Sequence, residues 1–266
     1  NFTVDTSKNR RLTPTQFYEK NKSPLLVVNG SFFSFATNQN LNVVVKNGKI
    51  VSYNEQTFAG KGKDTLTYLH PFFSAIGITK KRKADVAYIY SDSTKQFLFA
   101  SQVALPVIHD SVINLSLNYV NKITSNDAGN LSGNNYKSNP VFKKWVMKTA
   151  IGGGPVLVQN GEVKITNDEE RKFSGKQMDN LEPRTAIGYT AKNKIIIFVC
   201  EGRSQDAAGL SLPAMALIMK ELGCTEAMNL DGGGSSCMLI NGKITNKPSS
   251  KGIQRQVPSV FIIERR

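Results

Sequence analysis

The sequence predicts a mixed α+β fold: a largely antiparallel β-sheet core with hairpins, one β–α–β crossover and few helices. Three observations carry this. Asn-Gly recurs between apolar strand-like runs at Asn47-Gly48, Asn160-Gly161 and Asn241-Gly242, and this is a strong hairpin signal because both turn positions require positive φ. Short β-branched runs bounded by turn residues recur along the whole chain. Only three segments carry helix start signals.

The strands expected in order, besides those flanking the Asn-Gly turns, are Leu25 to Val28, Phe72 to Thr79, Val86 to Tyr90, Gln96 to Ala100, Thr185 to Thr190, Lys194 to Cys200, Ala227 to Leu230 and Val257 to Ile263. Helices are expected at Pro14 to Lys20 after Thr13, at Pro140 to Lys148 after Asn139, and at Leu212 to Leu222, where Ser211 caps the start and Gly223 ends the run. The apolar residues of the last helix cover nearly every face, so burial on all sides is expected. A polar, Asn-rich stretch from about Asn121 to Ser138 reads as a long surface loop. No composition break divides the chain, so one domain over 1–266 is expected, with its core at about 25–263.

Composition narrows the function. The chain has 266 residues and a hydrophobic share of 40%, too high for disorder. Its longest apolar runs fall far short of the roughly 18 residues a membrane span needs. Thirty-four Lys and Arg against 20 Asp and Glu give a net charge of +14, which favours anionic partners. Nucleic acid is not expected, because the lysines are scattered and no helix-turn-helix, RNP or zinc-finger pattern is present. The basic run Lys80-Lys81-Arg82-Lys83 reads as a surface turn. The three cysteines lack metal-ligand spacing and border apolar runs, so buried free thiols are expected. The two histidines, His70 and His109, make no triad pattern.

Geometry gathers candidates in the C-terminal half. If the strands either side of Ala191-Lys192-Asn193 form a hairpin, Arg184 falls opposite Glu201. The run from Lys194 to Leu230 then forms a β–α–β unit, whose two strands are parallel and end on one sheet edge. Glu201 and Arg203 therefore fall near Asn229, Asp231 and Gly232-Gly233-Gly234-Ser235, at the carboxyl edge where ligands bind in such units. An arginine fork matches phosphate oxygens, and a triple glycine lets backbone approach a ligand. A cross-strand Arg184–Glu201 salt bridge beside a plain glycine turn explains the same residues, and both readings stay open. The spots Asn29-Gly30-Ser31-Phe32-Phe33 and Ile151-Gly152-Gly153-Gly154-Pro155 are, each alone, more readily turns or bulges than sites.

Taken together, these segments resemble the phosphodiester glycosidase family: Asn29-Gly30-Ser31-Phe32-Phe33, then Gly152-Gly153-Gly154-Pro155, then Pro183-Arg184-Thr185-Ala186-Ile187-Gly188, then Glu201-Gly202-Arg203, then Asn229 through Ser236, in that order. Two departures are visible: Glu182 stands where the family often has His, and Glu201 where it often has Asp. The resemblance implies hydrolysis between a sugar anomeric carbon and a phosphodiester. Catalytic residues would be Glu201, Asp231, Arg184 and Arg203, with Glu182 as a further carboxylate. Substrate-binding residues would be Asn29, Gly30, Gly153, Gly154, Glu182, Asn229, Gly232, Gly233, Gly234 and Ser235. A divalent cation on Asp231 is possible. The expected partner is a glycosyl phosphodiester or another anionic glycan, and the protein is expected to be exported, whether periplasmic, cell-surface or secreted. A non-catalytic binder of anionic glycans is the alternative, weakened by two carboxylates set beside the proposed anion.

Overall fold

The structure is a computed structural model that describes residues 1–7, 10–60, 65–122 and 141–265. Among the described residues there are three larger sheets and a small one, and all their paired strands are antiparallel neighbours. The first sheet runs, edge to edge, Phe2–Thr6, Ser259–Ile263, Leu26–Asn29, Met238–Ile240, Lys243–Ile244. The second runs Lys143–Trp145, Leu98–Ser101, Ala84–Tyr90, Ser74–Ile78, Thr149–Gly152, Val44–Lys46, Lys49–Ser52. The third runs Glu162–Val163, Val156–Gln159, Cys224–Asn229, Arg184–Thr190, Ile195–Cys200. A small sheet runs Ile108–Asp110, Tyr68–His70, Phe58–Ala59, and its Ile108 packs against the main core. No helix among the described residues is long and apolar enough to cross a membrane.

The main core draws on all three larger sheets: Val28 and Phe261 from the first, Ile76, Tyr88 and Ile151 from the second, Ile187 and Met228 from the third. Strand alternation sends their neighbours the other way. Thus Val27, Val260 and Ile262 meet Phe17 of the helix Pro14–Lys20. Ala186 and Ala227 meet Leu212, Met215 and Met219 of the helix Leu212–Glu221. Burying each of those larger side chains is worth about 1.5–3 kcal/mol.

All three Asn-Gly turns form as expected, with φ of 52° and 77°, 54° and 79°, and 51° and 80°. The basic run turns between Ser74–Ile78 and Ala84–Tyr90, with the Thr79 N–H donating to the Lys83 carbonyl. The Thr13 and Ser211 hydroxyls cap their helices, accepting from the backbone of Gln16 and Ala214.

Several expectations are corrected. The helix expected at Pro140 to Lys148 is replaced by the strand Lys143–Trp145, paired with Leu98–Ala100. Buried Trp145 and Met147 flank exposed Val146, a period of two that favours a strand over the local cap signal. The helix Leu212–Glu221 is buried on one face only, since Leu217 is open to solvent. Cys224 and Cys237 are buried free thiols, but Cys200 is half-buried. Most of the expected loop from Asn121 to Ser138 lies outside the described residues.

Candidate active site

The strand Arg184–Thr190 lies between Ile195–Cys200 and Cys224–Asn229 and is antiparallel to both. Its two neighbours are therefore parallel, joined by the helix, and their carboxyl ends share an edge with Arg184. The register differs from expectation by one residue: Arg184 faces Cys200, and Glu201 lies one step beyond the ladder. The three-residue turn sets this, because Thr190 pairs with Lys194 and Asn193 takes a left-handed φ of 57°.

Hydrogen bonds then bring the three glycine segments together. The Asp231 N–H donates to the Gly30 carbonyl at 3.1 Å, and the Gly154 N–H donates to the Asn229 carbonyl at 2.8 Å. Asn229 Nδ2 donates back to the Gly154 carbonyl at 2.9 Å. Asn29 is fully buried: Nδ2 donates to the Asp231 carbonyl at 2.6 Å, and Oδ1 accepts from Thr185 Oγ1 and the Cys237 N–H. Two of the glycines are required sterically. A Cβ on Gly153 would collide with the Asn229 carbonyl, and one on Gly154, at a φ of 110°, with the Glu170 carboxylate.

On the solvent side of this junction is a cleft of about 310 Å³. Its walls are Phe32, Phe173, Gln177, Asn180, Glu182, Arg184, Arg203, Asn229, Asp231, Gly232, Gly233, Gly234 and Arg255. Asp231 Oδ1 accepts from the Gly232 N–H at 3.0 Å, while Oδ2 is buried without a partner. Burial pushes the Asp231 carboxyl up to about 6, against the pull of Ser235, Arg255, the Gly232 N–H and Lys172. The Asn229 Oδ1 is also buried without a partner. Arg203, at a φ of 61°, forms an ion pair with Glu182 and lies over Gly233. The Arg255 guanidinium covers Gly234 and approaches Ser235 Oγ at 3.4 Å.

Of the residues expected at the site, Glu182, Arg184, Arg203, Asn229, Asp231 and the triple glycine line the cleft. Asn29, Gly30, Gly153, Gly154 and Ser235 hold its wall from behind. Glu201 turns away: its Oε1 accepts from the Lys247 N–H at 2.6 Å, and it does not line the cleft. Arg184 lines the cleft and also braces it. Its side chain is buried and donates to three carbonyls, of Leu210 at 3.0 Å, Asn180 at 3.0 Å and Gln177 at 3.4 Å. The expected Arg184–Glu201 pair is absent from the ion pairs of the described residues.

Sequence reasoning missed Arg255, Phe173, Gln177, Asn180, the buried Glu170 and its neighbour Lys172. Glu170 closes the acidic run Asp168-Glu169-Glu170, which looks like a solvated face, yet it is fully buried. It accepts from the Ser74 N–H, Ser74 Oγ, the Val156 N–H and Thr166 Oγ1, all at 2.8 Å. The Lys172 ammonium lies over the rings of Phe73 at 3.6 Å and Phe32 at 4.8 Å, and burial pushes its pKa down. None of these follows a motif. Phe32, which also lines the cleft, belongs to the segment Asn29-Gly30-Ser31-Phe32-Phe33.

The surroundings of Asp231 do not suit a divalent cation. Its charged neighbours are Lys172 and Arg255, and among the described residues no three His, Cys, Asp or Glu side chains converge.

A cleft at one edge of an antiparallel sheet, with Glu182 and Asp231 set among Arg184, Arg203 and Arg255, defines a class: a β-rich protein with a carboxylate-and-arginine cleft. Residues 23–264 match the phosphodiester glycosidase family, and the chain belongs to it. It is 31% identical to the mouse N-acetylglucosamine-1-phosphodiester alpha-N-acetylglucosaminidase over 107 residues, 37% of this chain and 20% of that protein. The human protein of that name is 32% identical over 107 residues, covering 37% and 21%. The match thus spans about a fifth of the length of these relatives. An uncharacterized SPbeta prophage-derived protein of Bacillus subtilis (strain 168) is 37% identical over 81 residues, covering 30% and 12%. The zebrafish N-acetylglucosamine-1-phosphodiester alpha-N-acetylglucosaminidase catalytic domain, described as auto-inhibited by its pro-peptide, has the same fold. It gives a TM-score of 0.62 at 20% identity, covering 100% of this chain and 73% of that one. A putative exported protein from Burkholderia pseudomallei K96243 gives 0.60 at 14% identity, covering 100% and 71%.

Proposed function

We propose that this chain is a hydrolase that cleaves the bond between a sugar anomeric carbon and a phosphodiester. One observation carries the reading: Asp231, with a partnerless buried carboxylate oxygen and a pKa raised to about 6, lines the same cleft as Arg203 and Arg255. Membership of the family supports it.

The chemistry follows from charge. Water adds at the anomeric carbon as the C–O bond breaks, and the electron pair leaves on the phosphate oxygen. One water proton goes to a base, and the products are a free sugar and a phosphomonoester. A phosphate leaves readily, so the base and the stabilisation of charge dominate. A base whose pKa lies near the working pH is the most effective, which suits Asp231. Glycosidases use two carboxyl groups, and the second one lining this cleft is Glu182. Its ion pair holds the Arg203 guanidinium toward the phosphate, where a fixed donor gains most as charge develops. Arg255 supplies a second guanidinium, and Arg184 keeps the segment around Asn180 and Leu210 in place. The polar groups of Asn229 and Asn180 are available to sugar hydroxyls. The substrate, a glycan phosphodiester, fits an exported protein.

The test is to incubate the protein with a panel of sugar-1-phosphate methyl esters in both anomeric forms, following the release of free sugar and of methyl phosphate by NMR. Turnover of at least one ester, lost in Asp231→Asn, is expected. Binding of the esters without release from any of them would instead establish a non-catalytic binder of anionic glycans.

A further inference from the structure

We infer that Arg11, Arg255 and Phe35 form a second anion subsite at the rim of the cleft, which takes a further phosphate on the leaving-group side of the substrate. Phe35 is 61% exposed and is propped by Phe33, with ring centroids 4.7 Å apart. The Arg11 guanidinium carbon lies 5.2 Å from the Phe35 ring centre, and that of Arg255 lies 5.4 Å away. Arg11 also lies over Phe33 at 5.6 Å. A single exposed phenylalanine is ordinary. Two guanidiniums converging on one such ring are not, because like charges repel. Neither arginine belongs to an ion pair among the described residues.

The contacts leave both arginines able to bind. A guanidinium on an aromatic ring uses its flat face, and its N–H edge stays free for an oxyanion. Phe35 therefore serves as a stage that fixes the two forks. Its face is not free to stack a base or a sugar. Arg255 links this cluster to the cleft, since it also covers Gly234 and reaches Ser235 Oγ. A guanidinium shared between the scissile phosphate and the outer cluster sets the cluster on the far side of that phosphate from the sugar. The direction of the subsite rests on the proposed glycosidase reading. The substrate class that follows is a glycan bearing more than one phosphate, with at least two negative charges in series, as the net charge of +14 also favours.

Two experiments separate this inference from the reading it extends. In the first, KM is compared for a sugar-1-phosphate methyl ester and for the matching 2-phosphoethyl ester, which carries a second phosphate on the leaving group. The second ester is expected to have a KM about tenfold lower, as one charge-assisted contact supplies. Arg11→Gln should abolish that difference while leaving kcat and KM on the methyl ester unchanged. In the second, pyrophosphate binding is titrated calorimetrically on wild type, Arg11→Gln and Phe35→Ser, and needs no turnover. Both variants should bind about tenfold more weakly with unchanged melting temperatures. Equal KM for the two esters, or a gain produced by a phosphate on the sugar instead, would overturn the subsite. So would pyrophosphate binding that neither variant weakens. Failure to cleave either ester would count against the glycosidase reading, leaving the titration to decide the subsite.

Discussion

Asn29 Nδ2 donates to the backbone carbonyl of Asp231 at 2.6 Å, across 202 residues of sequence. That bond ties the end of one sheet to the loop that carries the candidate base. The Asn29 Oδ1 takes two further donors, Thr185 Oγ1 and the Cys237 N–H. Asn29 is thus a buried clamp with both ends of its amide in use.

Asn29→Ala should lose stability and activity together. Each buried partner left unsatisfied costs about 1–3 kcal/mol, and the Asp231 loop loses its anchor. Thermal melting and ester turnover on the same preparation check this. An unchanged melting temperature would show that the clamp contributes nothing.

Arg184→Ala and Arg203→Ala should part company. Arg184 satisfies three carbonyls from a buried position, so its removal should cost at least 1–3 kcal/mol and lower the melting temperature by several degrees. Arg203 is half-exposed, so losing its pair should change stability by about 1 kcal/mol or less. Turnover of the ester should fall on the order of 100-fold in Arg203→Ala. Melting curves beside kinetics would separate the two roles.

Activity should rise with pH through about 6 as Asp231 loses its proton. Stability should move the other way. The Asp231 carboxyl titrates higher in the folded state than its ordinary value of 3.8, because burial disfavours the anion. The folded state therefore binds that proton more tightly, and the stability it gives is full below about pH 4 and lost as pH rises to about 6. Asp231→Asn should remove this component. The melting temperature of the variant relative to wild type should increase between pH 4 and pH 7.

The two glutamates should differ sharply. Glu182→Gln removes the ion pair on Arg203 within the cleft, and a loss of about 100-fold or more in turnover is expected. Glu201→Gln keeps an oxygen that can accept from the Lys247 N–H and should leave kcat near wild type. Steady-state kinetics on both variants decides between them.

Local chemistry determined a good deal of this protein. Asn47-Gly48, Asn160-Gly161 and Asn241-Gly242 specify their hairpins because positive φ is a property of the turn residues themselves. Thr13 and Ser211 specify helix starts because a cap acts three residues away. The crossover from Ile195–Cys200 through the helix to Cys224–Asn229 was legible for the same reason, and with it the edge that gathers Arg203, Asn229 and Asp231. Tertiary structure alone decided the rest. The Lys247 N–H, 46 residues further along the chain, holds the Glu201 carboxylate away from the cleft, and Glu182 is the carboxylate that lines it beside Asp231. Glu170 reads as one more charge in an acidic run until four donors from three separate segments close around it. Arg255 and Phe35 stand in stretches with no pattern and acquire meaning only through their contacts. A turn or cap is set by neighbours a few residues away, whereas a buried charge or a cleft is set by whichever distant segments packing brings against it.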